Sequence, residues 1–216
     1  KTTNANVGDQ NGYIKKYPEK WLFGSDNTGD ITKYENIAYY SDFIKKNKIN
    51  FVTSDCGLPA SLDDSNEMLR VHLAEFVLIM KSLNEGGNFV AKFFFPLIRP
   101  LELYIIYCLY KSFGELFIYK PVINIYSSEF YLIGKNYSGV GYDIDILYDL
   151  ISPDKFDPNF KPPININNNF LRQLCVFNKK LIDDYSEHFK KQLFYVDYRE
   201  TFPDGFISQM KYNISR

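Results

Sequence analysis

GGNFVAKFFF, residues 86–95, reads as a glycine turn that opens into a buried strand. The apolar run is too short for a core helix, and its Phe and Val content suits a pleated, enclosed surface. Lys92 interrupts that run. An ammonium inside an apolar strand is costly unless it is paired with carboxylates or reaches a cleft. Two readings stay open at this point: an edge-facing lysine that snorkels to water, or a lysine held by acidic partners from other strands.

The flanking sequence supplies the rest of the pattern. Upstream, "DDSNEMLRVHLAEFVLIMKSLNEGG" (63–87) predicts a helix. Asp63, Asp64 and Ser65 are its N-cap candidates, and Glu67 lies early, where the helix dipole favours it. Leu69, Leu73, Phe76, Met80 and Leu83 recur at helical spacing, and Gly86-Gly87 is the expected stop. Before it, "INFVTSD" (49–55) is a short β-branched run, a buried strand that ends in polar residues. Residues 37–47 predict a short helix on Ile37, Tyr40, Ser41 and Ile44, and residues 1–36 are polar and turn-rich. Downstream, Pro100 opens a second apolar helix that runs to about Phe113. "GELFIYKPV" (114–122) and "SSEFYLIGKNY" (127–137) then read as the two strands of an antiparallel hairpin.

Alternation of helix and strand predicts an α/β fold: a Rossmann-like, mostly parallel sheet with helices on its faces and an antiparallel edge hairpin. Residues 138–216 differ. A proline-rich break, "SPDKFDPNFKPP" (152–163), precedes a helical stretch from Asn169 to about Phe194. The expected division is therefore a sheet domain over 1–137 and a helical C-terminal appendage over 138–216, packed on the sheet.

Composition narrows the function classes. Of 216 residues, 45% are hydrophobic and 18% aromatic, which supports a large core and excludes global disorder. A net charge of −1 gives no wholesale polyanion-binding surface. The lysine clusters at 15/16/20, 45/46/48 and 190/191 read as solvated helix faces. Cys56, Cys108 and Cys175 are odd in number and far apart, against a disulfide framework or a cysteine zinc site, and in favour of a reducing compartment. With only His72 and His188, no histidine-rich metal site is expected. The longest apolar candidate, residues 97–113, is broken by Arg99, Pro100, Glu102 and Lys111, so no membrane span is expected.

In open parallel sheets, ligands gather at the carboxyl ends of the strands. Three charged residues fall at or near such ends: Asp55, Lys92 and Glu129. Asp55 and Glu129 are the candidate partners for Lys92 if it is not an edge-facing residue that snorkels to water.

Four segments, "GDITKYENI" (29–37), "VTSDCG" (52–57), "GGNFVAKFF" (86–94) and "KPVINIYSSEFYLIGKNY" (120–137), resemble the FtsJ-like RNA 2′-O-methyltransferases, and most closely their cap-specific branch. Order and spacing match as well, from about Trp21 to Tyr137 and more weakly through the helical tail. The resemblance implies S-adenosyl-L-methionine as cofactor and capped RNA as substrate. It also implies a Lys-Asp-Lys-Glu tetrad in which Asp55, Lys92 and Glu129 stand for the last three members. Asp30 corresponds to the family's acidic residue near the adenine, with Asp26 as the alternative, and Asp55 also borders the cofactor. Lys92 would orient the ribose hydroxyl and assist loss of its proton, for which a desolvated lysine of lowered pKa is expected; the flanking carboxylates oppose that lowering, so either burial compensates or the lysine acts mainly by orientation.

Two family features are not found. No first catalytic lysine and no glycine-rich cofactor loop are recognisable, and "NVGDQNG" (6–12) follows no strand. The sequence therefore reads as the C-terminal half of the catalytic domain, with an upstream segment of the same polypeptide expected to complete it. The alternative is a catalytically inactive methyltransferase-like fold serving as an RNA-binding or assembly subunit. The bias towards Asn, Ile, Lys and Tyr, joined to the cap-type resemblance, suggests a large cytoplasmic DNA virus of the African swine fever virus kind. The implied location is cytoplasmic, in a viral factory or virion.

Overall fold

The computed structural model describes residues 9, 11–47, 49–58, 65–121, 127–139, 144–162 and 165–197. Asp63 and Asp64, candidate caps of the long helix, fall outside them, as does most of "NVGDQNG".

Element order is α1 (Tyr13–Lys16), a single 3-10 turn (Pro18–Lys20), α2 (Tyr34–Lys45), β1 (Ile49–Ser54), α3 (Ser65–Ser82), β2 (Leu83–Phe94), α4 (Pro100–Ser112), β3 (Phe113–Tyr119), β4 (Glu129–Tyr137), α5 (Ile144–Asp149) and α6 (Asn168–Asp197). The four strands form one sheet in the order β1-β2-β4-β3. β1 and β2 are parallel, and β4 is antiparallel to both β2 and β3. The hairpin thus lies at one side of the sheet, but its later strand is the inner one. The physical reason is burial. β4 carries Phe130 and Leu132, both fully enclosed, whereas β3 exposes Phe117 and Tyr119 and suits an edge.

One boundary differs from the sequence expectation. α3 stops at Ser82, and Gly86-Gly87 lie inside β2. Leu83 already pairs with Ile49, after which the register jumps to Phe51 opposite Asn88. Residues 84–87 bulge from the ladder there, and the Asn84 side chain fills the gap by donating to the Ile49 carbonyl at 3.1 Å. Gly86 turns the bulge with φ of 80°, a conformation that favours glycine.

Strand alternation divides the sheet into two faces. Phe89, Ala91 and Phe93 of β2 and Phe130 and Leu132 of β4 are fully buried on one face. Phe76 of α3 packs on Phe89 and Phe93, and Phe177 of α6 packs on Phe130. Val90, Lys92 and Phe94 point to the other face and are only half-buried.

Glu102 folds back over the start of α4, accepting from the backbone N–H groups of Ile98 and Arg99 at 3.0 and 2.9 Å, with Pro100 in the first turn. α6 begins where the Asn167 side chain accepts from the Asn169 N–H at 2.7 Å. Its Phe170 packs on Tyr107 and Tyr110 of α4, and Leu174 and Leu181 are buried with it. Asn178 adds a polar clasp: its side chain accepts from the Leu97 N–H at 3.1 Å and donates to the Leu97 carbonyl at 2.6 Å.

Candidate active site

Because β1 and β2 are parallel and β4 runs opposite, the carboxyl ends of the first two and the amino end of the third share one end of the sheet. Asp55 follows the last residue of β1, Lys92 lies late in β2, and Glu129 opens β4. Glu129 pairs with Phe94, so its side chain shares the half-buried face with Lys92. The Lys92 ammonium forms an ion pair with Asp55 Oδ1 and lies 3.8 Å from Glu129 Oε1. The Lys92 side chain is 16% exposed and that of Asp55 66%, so the cluster is enclosed at its lysine and open at its aspartate.

Burial pulls the Lys92 ammonium down, but the hydrogen bond to Asp55 and the charges of Asp55 and Glu129 outweigh it. The net pKa is above the ordinary lysine value. Of the two alternatives the sequence left, burial strong enough to lower the lysine or a lysine that acts mainly by orientation, the direction fits the second, because two carboxylates oppose a desolvation that is only partial. In this arrangement Lys92 is an ammonium at neutral pH and acts as a donor and a charge.

Two features of the site went unnoticed in the sequence. Lys120 follows the last residue of β3, and its Nζ donates to the backbone carbonyls of Ser127 and Glu129. It also sits over the Phe95 ring, 5.5 Å from its centroid. Burial draws its pKa below the usual lysine value, with Glu129 opposing. A lysine beside a proline in "KPV" gave no signal without the hairpin register that brings it to Glu129.

The second feature lies behind Asp55. Glu75 of α3, 2% exposed, accepts from the Ser54 hydroxyl and from the Cys56 N–H at 2.8 Å. Its other oxygen lies 2.8 Å from His72 Nδ1. A signal existed here: in "VHLAEFV" two polar residues three apart break an apolar helix.

The structure also separates Asp26 from Asp30. Asp26 Oδ1 accepts from the Thr28 N–H and hydroxyl and from the Asn36 amide, while Oδ2 pairs with Lys33 at 2.5 Å. Those contacts, the Lys33 hydrogen bond first, hold its carboxyl far below the usual range. Asp30 Oδ1 accepts from the Thr32 N–H and hydroxyl at 2.9 and 2.7 Å. Fully buried Asn36 knots this loop, and Gly24 makes the knot possible: a Cβ there would lie 2.2 Å from the Asn36 side chain. Asp30 forms no direct bond to Asp55, Lys92 or Glu129 among the described residues. Tyr40 donates its hydroxyl to the Leu22 carbonyl at 3.3 Å. Burial raises its pKa first, and Asp26, Asp30 and Cys56 add to the rise.

Other chemistries find no support among the described residues. No group of three or more potential metal ligands occurs. Burial pushes the Cys56 and Cys108 thiols up to about 12, which rules out a thiolate nucleophile at either near neutral pH. No described helix is long and apolar enough to cross a membrane.

Residues 10–137 match the FtsJ-like methyltransferase family model, which is more than half of the chain. The chain belongs to the FtsJ-like methyltransferase family. Among relatives of this FtsJ-like chain is an uncharacterised protein, L511, of Acanthamoeba polyphaga mimivirus, 32% identical over 89% of this chain and 25% of its own length. The cap-specific mRNA (nucleoside-2′-O-)-methyltransferase 1 of Dictyostelium discoideum is 29% identical over 80% of this chain and 25% of its own length. The human protein of the same name is 30% identical over 59% and 16%. The chain thus spans about a quarter or less of the length of these relatives. A ribosomal RNA methyltransferase structure from Plasmodium falciparum overlays on 55% of this chain and 62% of its own, with TM-score 0.38 and 22% identity.

Proposed function

We propose that this chain carries the reacting centre of an S-adenosyl-L-methionine-dependent RNA 2′-O-ribose methyltransferase acting on the mRNA cap. Asp55, Lys92 and Glu129 are its catalytic residues, and Asp30 and Asp55 border the cofactor. The observation that carries the reading is the lysine held between two carboxylates contributed by separate strands at one sheet end. Family membership and cap-specific relatives at 29% and 30% identity support it.

The residues present suit the cofactor on its adenine and sulfonium sides. The Asp55 and Glu129 carboxylates complement a sulfonium cation, and Asp30 is an exposed acceptor suited to an adenine amino group. S-adenosyl-L-methionine, when bound, supplies a methyl group made electrophilic by its sulfonium. Lys92 donates to the ribose 2′-oxygen and aligns it, so that positioning provides most of the rate. Transfer would break the sulfonium S–CH3 bond, its electron pair remaining on sulfur as a neutral thioether, and the exposed Asp55 carboxylate would accept the proton that the methylated 2′-oxygen gives up. A raised lysine pKa agrees with this division of labour, in which the ammonium orients and the carboxylate receives.

No described strand precedes β1 in the chain. We infer that an upstream segment of a longer polypeptide supplies the loop for the methionine end of the cofactor and the first lysine of the tetrad. Partners are then capped RNA and that segment. A cytoplasmic, viral-factory setting is part of the same proposal, supported by the mimivirus relative.

The test is a methyl-transfer assay of the intact polypeptide on capped RNA, with mass mapping of the modified ribose. Transfer to the 2′-oxygen of the first transcribed nucleotide is expected. RNA binding without any transfer would instead assign the fold to a non-catalytic subunit.

A further inference from the structure

We propose that Glu75, supported by His72, is a positioning residue that fixes Asp55 against Lys92; this rests on the reading of Asp55 and Lys92 as the reacting centre. Glu75 is an almost fully buried carboxylate in the middle of an apolar helix, a place a carboxylate occupies only when hydrogen-bonded. Its partners are the Ser54 hydroxyl and the Cys56 N–H, the two residues that flank Asp55. Asp55 itself lies just beyond β1, past the residues that the strand ladder holds in register. A carboxylate from α3 takes over from the ladder at that point.

His72 completes the device. Its Nδ1 faces Glu75 at 2.8 Å, and its Nε2 is buried with no hydrogen-bond partner among the described residues. The imidazole ring packs on Phe93 at 4.4 Å and on Phe94 at 5.7 Å, the two residues after Lys92. One turn of α3 therefore touches both the segment that carries Asp55 and the segment that carries Lys92. The pair sets the distance between the acid and the ammonium without touching either.

The Lys92 titration reports that distance, because Asp55, Glu129 and Tyr131 raise it while burial lowers it. The experiment uses 13C-labelled lysine in the intact chain and follows the Lys92 ε-carbon by NMR over alkaline pH. In Glu75→Leu the 54–56 segment loses its acceptor, Asp55 moves away, and Lys92 titrates at lower pH than in the wild type. Glu75→Gln keeps an acceptor for Cys56 and a donor for His72, and restores the wild-type titration. Ile79→Ala, a cavity in the same helix, lowers the melting temperature and leaves Lys92 unmoved. Asp55→Asn shifts Lys92 downward directly. In the intact polypeptide, Glu75→Leu lowers kcat by up to about 10²-fold while KM for RNA holds.

An unshifted Lys92 in Glu75→Leu, with Asp55→Asn still shifting it, overturns the proposal and leaves the reacting centre intact. An unshifted Lys92 in Asp55→Asn overturns the underlying pairing. If Glu75→Leu fails to fold, amide exchange of the wild type decides: a protected Cys56 N–H supports the proposal, and one that exchanges at the free-loop rate overturns it.

Discussion

Lys120 Nζ and the Glu129 carbonyl oxygen lie 2.6 Å apart, so the lysine that follows β3 grips the residue that opens β4. This contact gives the site two lysines of opposite electrostatic character within one sheet end. Carboxylates raise Lys92, and burial lowers Lys120. In competitive acylation followed by mass spectrometry, Lys120 is expected to gain reactivity at lower pH than Lys92. Equal midpoints would contradict the described environments.

The same pair fixes the sign of an alkaline stability effect. Lys92 has a folded pKa above its unfolded value of 10.5, so its stabilisation is present below that value and is lost as pH rises through the folded pKa. Lys120 behaves inversely: its folded pKa is below 10.5, so its contribution to stability grows as pH rises from the folded value to 10.5. Denaturant unfolding from pH 8 to 11 should therefore show a Lys92→Met variant with less loss at the alkaline end than the wild type. Lys120→Met should show the reverse difference.

Lys92→Met is expected to reduce methyl transfer by about 10²–10⁴-fold, the usual worth of a positioned proton-handling group. Its melting temperature should fall only modestly, because the mostly exposed Asp55 returns to water while Glu129, 26% exposed, loses one nearby cation. Turnover and melting measured side by side check this; unchanged turnover would remove Lys92 from the chemistry.

Asp26 and Asp30 should separate by experiment. Asp26→Ala deletes contacts to Thr28, Lys33 and Asn36 and should lower thermal stability more than Asp30→Ala, which loses only the Thr32 contacts. Calorimetry with S-adenosyl-L-methionine on the intact polypeptide should show weaker binding for Asp30→Ala. A larger loss of affinity in Asp26→Ala, at matched folded fraction, would reverse the cofactor assignment.

Asn178→Ala tests how α6 is attached. It strips both polar partners from the buried Leu97 backbone, and an unsatisfied buried group costs roughly 1–3 kcal/mol. Hydrogen exchange should show α6 opening before the sheet. Simultaneous loss of both would mean that the helix and sheet unfold as one unit.

Sequence alone determined the α/β alternation, the turn chemistry of residues 24–30, and the placement of Asp55, Lys92 and Glu129 near strand ends. These follow from local causes: periodicity, glycine, and the cost of a charge in an apolar strand. Tertiary structure alone decided the rest. β4 lies between β2 and β3 because its apolar side chains need the interior. Gly86-Gly87 became a bulge because Leu83 pairs early with Ile49. Lys92 titrates high because three strands bring two carboxylates to a lysine that is only partly desolvated. Lys120 and Glu75 entered the site through hairpin register and helix packing. Contacts between residues distant in the chain depend on which surfaces find each other, and no local pattern encodes that distance.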